Sequence, residues 1–213
     1  MVFPKWTNKI PAIAAVSAFV ILNALIFVFW YWFSPKHLNV GYQPEQPVHY
    51  SHKLHAGTMG IDCRYCHFNV ERGQFAGVPP TEVCMNCHTT VKTTSPEIVK
   101  IREAFASGKP IPWVRIHKLP EFAYFNHSAH INKGVRCVSC HGRIDQMDVV
   151  REVQPLSMSW CLDCHKAPAQ NIRDRKLVTN LAWHPDGDPV ENGLKFMEKY
   201  HVNTRTDCNT CHR

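Results

Sequence analysis

Between Lys9 and Lys36 the chain carries no charged residue. Residues 10–34, IPAIAAVSAFVILNALIFVFWYWFS, exceed the roughly 20 apolar residues a helix needs to cross a bilayer. The pattern predicts one transmembrane anchor helix. Its far end, Phe29 to Phe33, is a run of aromatics of the kind that settles at a membrane–water interface. Lys5 and Lys9 precede the span, which predicts a short cytoplasmic tail (1–9) and places the remainder outside. The run is too long for a cleaved signal peptide, and no A-x-A-like site follows it. Ala14 and Ala18 form a small-x-x-x-small pair and Asn23 is polar at mid-span. These features suit packing against other membrane helices, although any single span tolerates them.

Beyond the span the periodicity weakens. A proline-containing linker, 35–47, follows (Pro35, Pro44, Pro47). One later helix is well signalled: Ser95 is a capping residue, Pro96 suits the first turn, Ile98, Ile101 and Phe105 share a face, and Gly108 ends it. Residues 191–200, ENGLKFMEKY, predict a second. Strand signals are weak throughout, and Pro79, Pro80, Pro110, Pro112, Pro120, Pro168, Pro185 and Pro189 punctuate the connections.

The cysteines change this picture. All 10 lie in five C-x-x-C pairs, and each pair is followed at once by histidine: Cys63, Cys66, His67; Cys84, Cys87, His88; Cys137, Cys140, His141; Cys161, Cys164, His165; Cys208, Cys211, His212. With 14 histidines in 213 residues, five such coincidences have odds of roughly one in a million. A closed zinc site draws four ligands from two knuckles. Five knuckles do not pair off, and zinc does not require the adjacent histidine. A thioredoxin-like dithiol occurs once, and disulfides between residues three apart are strained and close tiny loops. C-x-x-C-H is instead the attachment signal of c-type haem. Two thiols bond the two vinyl groups, and the next residue lies under the iron as its proximal ligand. Five covalently bound c-type haems are therefore expected. Each ferric haem, with its two propionates, brings a net −1, so the formal +7 falls to roughly +2 when all five are ferric and to roughly −3 when all are ferrous. The basic chain therefore gives no reason to expect a nucleic-acid partner.

A low-spin iron that only carries electrons takes two protein axial ligands. The sequence repeats itself in a way that supplies them. YSHKLHAGTMGIDCRYCH (50–67) and FNHSAHINKGVRCVSCH (125–141) both read aromatic-x-H-x-x-H, a short gap, then C-x-x-C-H. A second C-x-x-C-H follows each. This gives two two-haem modules, 48–92 and 119–166, joined by a connector with a helix (93–118), and a C-terminal segment (167–213) with the fifth haem. The expected fold is one N-terminal transmembrane helix plus a periplasmic multihaem cytochrome c domain, mostly loops with short helices and little β. The best distal set is His52, His55, His117, His127 and His130, with His184 and His201 in reserve. His37 and His49 read as ordinary surface histidines, and Met147 and Met158 as core packing rather than ligands.

The aromatic-x-H-x-x-H element resembles class III cytochromes c. The longer strings WVRIHKLPEFAYFNHSAHINKGVRCVSCH (113–141) and SMSWCLDCH (157–165), with one anchor and five motifs, resemble the pentahaem cytochrome subunit of alternative complex III. That resemblance implies an electron relay in the cytoplasmic membrane, without a substrate site of its own. It implies partners as well: quinol-binding membrane subunits, a periplasmic iron–sulfur subunit, and a monohaem cytochrome c or other acceptor. It also implies that His52, His55, His117, His127 and His130 are ligands. The alternative is a stand-alone membrane-anchored quinol dehydrogenase serving periplasmic reductases. A reductase of small oxyanions needs a five-coordinate iron and often a modified motif. Here all five motifs are standard. The intact polypeptide, weighed free of detergent, is expected to exceed the bare chain by five haem masses; a bare-chain or zinc-loaded mass overturns the reading.

Overall fold

The computed structural model describes residues 3–212. Met1 and Val2 of the expected tail, and Arg213 of the last segment, lie outside the described residues. Helix α1 (Ile10–Trp32) starts on Pro11 in its first turn, and none of its residues is buried by the rest of the chain. It is long and apolar enough to cross a membrane. It ends two residues short of the predicted span. Asn23 Nδ2 donates to the Phe19 carbonyl of the same helix at 2.8 Å, so its amide is partly satisfied without another helix.

A single turn, α2 (Pro35–Leu38), leads into the linker. The linker is tied down along its length. Gly41 N donates to Glu152 O (2.8 Å) and Glu152 N to Tyr42 O (3.0 Å). Gln46 exchanges two hydrogen bonds with the Val114 backbone, at 2.9 and 3.0 Å. Val48, 3% exposed, then packs with Met85, Ile98 and Ile101. Met85 lies in α4 (Thr81–His88), and the two isoleucines lie in α5 (Pro96–Ser107).

The remaining α-helices are short, and among the described residues there is no strand. They are α3 (Cys63–Cys66), α6 (His127–Ile131), α7 (Cys137–His141), α8 (Met158–Lys166), α9 (Pro189–Lys199) and α10 (Cys208–Cys211). Among the described residues the only β-type pairing outside named strands is the antiparallel bridge Val135–Ile172. Backbone runs close where glycine permits it. A Cβ on Gly193 of α9 would strike the Ala169 carbonyl, and one on Gly57 would strike that of Asp145. Gly134, at φ +82°, faces the Arg173 carbonyl in the same way while its own carbonyl accepts from Arg173 N at 2.9 Å.

The predicted helices are present with adjustments. α5 spans the expected residues and stops at Gly108 in the left-handed conformation (φ 66°). Ser95 occupies the N-cap position without a side-chain bond, and Phe105 is exposed while Ile98 and Ile101 are buried. The buried stripe is narrower than the pattern suggested because only two positions meet α4 and Val48. α9 begins at Pro189, with Asp188 accepting from Val190 N at 3.0 Å. Met147 is buried as core, but Met158 is 63% exposed at the start of α8 and packs no core. Gly193→Ala is expected to cost about 1–3 kcal/mol because backbone on both sides cannot give way. Thermal unfolding of the haem-loaded protein measures it.

Candidate haem-binding site

Each of the five C-x-x-C-H motifs forms a helical turn: α3, the end of α4, α7, α8 and α10. That is the local reason for the spacing. On a helix, positions three and four apart share a face. The turn therefore presents two thiols and places the following imidazole beside them. Caps hold these turns in place. Asp62 accepts from Arg64 N (2.8 Å) at α3, and Ser157 from Trp160 N (3.4 Å) at α8. None of the ten cysteines is in a disulfide; Cys87 and Cys208 are exposed and the other eight are half-buried. Burial pushes Cys137 and Cys140 up to about 12, with Cys63 adding to the first and Cys164 to the second. Among the described residues no three His, Cys, Asp or Glu side chains converge as a metal-ion cage.

The histidines are oriented by the backbone. Seven of the ten expected ligands direct Nδ1 at a carbonyl: His55 to Ser51 (2.8 Å), His67 to Gly77 (2.7 Å), His88 to Val91 (3.0 Å), His127 to Gln74 (2.9 Å), His130 to Asn126 (2.8 Å), His165 to Arg205 (2.7 Å) and His212 to Phe122 (3.0 Å). A carbonyl only accepts, so Nδ1 carries the proton and Nε2 keeps its lone pair for a metal.

The same rings meet in pairs. His55 and His88 have ring centres 6.3 Å apart, His127 and His141 6.3 Å, and His130 and His165 6.0 Å. An imidazole nitrogen bonds a transition metal at about 2.0–2.1 Å, so two rings on opposite faces of one ion have centres roughly 6 Å apart. The spacing fits an iron between them. The aromatic of each aromatic-x-H-x-x-H element sets both of its histidines. Tyr50 lies edge-on to His52 (4.8 Å, 87°) and stacked on His55 (4.4 Å, 23°). Phe125 repeats this with His127 (4.8 Å, 86°) and His130 (4.5 Å, 30°).

His52 and His117 stand apart from the pairs. His52 Nδ1 is buried and has no partner, and burial, with His67 next and then His55, lowers its pKa to about 4. His117 is edge-on to His141 at 4.4 Å, and its Nε2 lies 3.3 Å from His141 Nδ1. His141, buried beside His117 and His127, is lowered to about 3. A protonated imidazole has no lone pair to give, so these shifts keep both rings in the ligating form. His49 is engaged by Glu97 (3.3 Å) and His37 packs on Trp32 (4.5 Å), as surface residues do.

Sequence reasoning missed Arg173. It is 1% exposed, donates Nη1 to the Asn180 and Leu177 carbonyls (2.8 and 3.3 Å), and lies 4.8 Å over Trp183. Its Nε and Nη2 have no protein partner. A buried cation with spare donors fits a cofactor carboxylate such as a haem propionate. Arginine in a polar run, RDRK, gave no signal of this burial.

Thiol pairs on helical turns, imidazoles with Nε2 free, and facing rings at iron-spanning distance are the features a multihaem cytochrome c requires. Known proteins agree: residues 123–213 match the family described as cytochrome c7 and related cytochrome c. The chain is 35% identical over 131 residues to the multihaem cytochrome c subunit of menaquinone reductase from Nitratidesulfovibrio vulgaris (strain Hildenborough). That match covers 61% of this chain and 60% of the relative's length. The chain thus spans less than two thirds of the relative's length, and its likeness to the cytochrome c7 family lies in residues 123–213.

Two outcomes follow for the site. Phe125→Ala is expected to alter the low-spin signals of two haems together, those attached at Cys137 and Cys161, and to leave that at Cys84 unchanged in electron paramagnetic resonance. Asp62 is held at about 2, chiefly by its hydrogen bond from Arg64. This lies below the ordinary 3.8, so its stabilising effect is complete above that value and is lost as pH falls toward 2. Asp62→Asn is expected to flatten acid unfolding across that window and to cost about 1 kcal/mol at neutral pH through the weakened cap.

Proposed function

We propose that this chain is the five-haem electron relay of a membrane quinol:acceptor oxidoreductase of the alternative complex III type. In this reading the anchor spans the cytoplasmic membrane with its N-terminus inside, and the haem domain faces the periplasm. The haems are held by Cys63 and Cys66, Cys84 and Cys87, Cys137 and Cys140, Cys161 and Cys164, and Cys208 and Cys211. The proximal ligands are His67, His88, His141, His165 and His212. When bound, each haem supplies a one-electron ferric–ferrous couple.

The observation that carries the reading is the set of facing imidazoles. His55 faces His88, His127 faces His141 and His130 faces His165 at 6.0–6.3 Å. An iron capped on both sides has no open position for a substrate, which suits a carrier and not a catalyst. The internal repeat extends the assignment. In the second module the first histidine of H-x-x-H meets the first motif, so by the repeat His52 is assigned to His67. His117 then remains for His212.

The chain's own residues perform three tasks. The backbone carbonyls hold each Nδ1 proton and so orient each ring. Tyr50 and Phe125 fix two rings each. Burial of His52 and His141 keeps them neutral and excludes water. Quinol oxidation belongs to partner membrane subunits, with a periplasmic iron–sulfur subunit beside them and a monohaem cytochrome c or other acceptor downstream. The relative's name, a menaquinone reductase subunit, supports membership of a quinone-linked complex.

Purification in mild detergent is expected to bring down several membrane partners, with no quinol oxidation by the isolated chain. Activity of the isolated chain would instead establish the stand-alone dehydrogenase. His117→Ala is expected to convert one low-spin haem to high spin. Five retained low-spin signals with one shifted potential would show that His117 only steadies His141.

A further inference from the structure

The donors of the buried Arg173 divide in a way that specifies a ligand. A guanidinium has five N–H donors in one plane. Nη1 spends its two on the Asn180 and Leu177 carbonyls, at 2.8 and 3.3 Å. Nε and Nη2 have no protein partner. These two nitrogens share one edge of the group, the side-on edge from which arginine grips a carboxylate through two parallel N–H···O bonds. The plane itself is fixed. Trp183 lies under the guanidinium, with the ring centre 4.8 Å from its central carbon. The backbone is fixed as well, because Arg173 N donates to Gly134 O at 2.9 Å beside the Val135–Ile172 bridge. The edge is therefore aimed before anything binds to it.

A second guanidinium flanks the same bridge. Arg136, half-buried, donates N to Asn171 O (3.2 Å) and Nε to Ser139 Oγ (2.9 Å). Among the described residues neither Arg136 nor Arg173 has an acidic partner. Burial, and after it the neighbouring Arg136, lowers Arg173 to about 10. Two like charges in a water-poor place, with no acid between them, require an anion. The open edge asks for a planar one with two oxygens. Free anions reach it poorly, since Arg173 is 1% exposed and the adjacent Val178 and Leu181 are buried. A carboxylate delivered on a covalently attached group meets no such barrier. The loop that holds Arg173 also holds an attachment turn: Cys137 N donates to Val178 O at 3.2 Å, between the two residues whose carbonyls take Nη1.

We propose that the Nε–Nη2 edge of Arg173 is the seat of one haem propionate, gripped side-on inside the protein, with Arg136 as the second cation of the seat. This rests on the haem reading above. The seat does two things. It ties down the edge of a macrocycle that the thioether bonds do not reach, since vinyl and propionate groups stand on opposite edges of the ring. It also neutralises a carboxylate whose negative charge would otherwise favour the ferric state of that haem. Arg173 is thus a positioning residue that acts on the iron through the propionate. Lysine in its place keeps the charge but lacks the two parallel donors.

The test uses the full haem-loaded chain in detergent, with the propionate carboxyl carbons labelled by feeding carboxyl-¹³C δ-aminolevulinate. Infrared spectra of the wild type, Arg173→Gln and Arg173→Lys are compared, and the haem potentials are titrated. The expected result is that the labelled carboxylate bands of one propionate shift in both variants while the others stay. One haem potential is expected to fall in Arg173→Gln and to recover in Arg173→Lys, although the bands remain shifted there. Added acetate is expected to leave the wild-type spectrum unchanged. Identical labelled bands in all three proteins overturn the proposal. So does a wild-type spectrum that responds to acetate, which marks a site for an exchangeable free anion. Where Arg173→Gln fails to load haem, Arg173→Lys carries the test. Intact mass of the same samples separates the failures: a wild type without attached haem defeats the underlying reading, whereas haem-loaded proteins with unchanged bands defeat only this inference.

Discussion

The hydrogen bond from an imidazole Nδ1 to a backbone carbonyl is the interaction on which this domain depends. An iron needs Nε2 unprotonated and aimed within a narrow cone, and a free histidine rotates and exchanges tautomers. A carbonyl at 2.7–3.0 Å removes both freedoms at once in seven rings. The loops that look irregular are in large part the carriers of these carbonyls. Gly77, Val91, Gln74 and Phe122 each lie in a connection rather than in a helix. The shape of the connections is therefore part of the ligand geometry.

This explains why so little regular structure suffices. The buried apolar residues are few, chiefly the Val48–Met85–Ile98–Ile101 group and scattered positions such as Ile172, Val178 and Leu181. On the proposed haem reading, macrocycles attached by two covalent bonds each add apolar volume that side chains need not supply. What the polypeptide contributes is close backbone approach, at Gly57, Gly134 and Gly193, and bridges between attachment turns. Polar residues inside the C-x-x-C pairs, Tyr65, Asn86, Ser139 and Thr210, take part in those bridges. The variable positions of the short motif thus make hydrogen bonds beyond their own turn.

The repeated aromatic-x-H-x-x-H element shows how one local device sets two imidazoles. The ring of Tyr50 or Phe125 meets one imidazole edge-on and the other nearly face-on, with angles that agree between the two copies to within about 10°. His55 and His130 also bond back to the carbonyl four residues earlier in both copies. Two imidazoles three apart on one turn then diverge toward different motifs, which holds neighbouring sites together. An electron carrier gains from this arrangement, because spacing between sites sets its rate.

Much of this was legible in the chain alone. The span, the five attachment motifs and the repeat are local: a thiol, a second thiol three on and an imidazole four on fall on one turn whatever surrounds them. Helix α5 was legible from its proline, apolar spacing and terminal glycine. Other features depended on how distant loops come to rest. Phe105 and Met158 are exposed because nothing folds over them, and Arg173 is buried because Asn180 and Trp183 close around it. Which imidazole faces which, and which attachment turn touches which, is decided by contacts between residues tens of positions apart. A sequence records the imidazoles it offers; only the folded path of the connections brings two of them together at 6.0–6.3 Å.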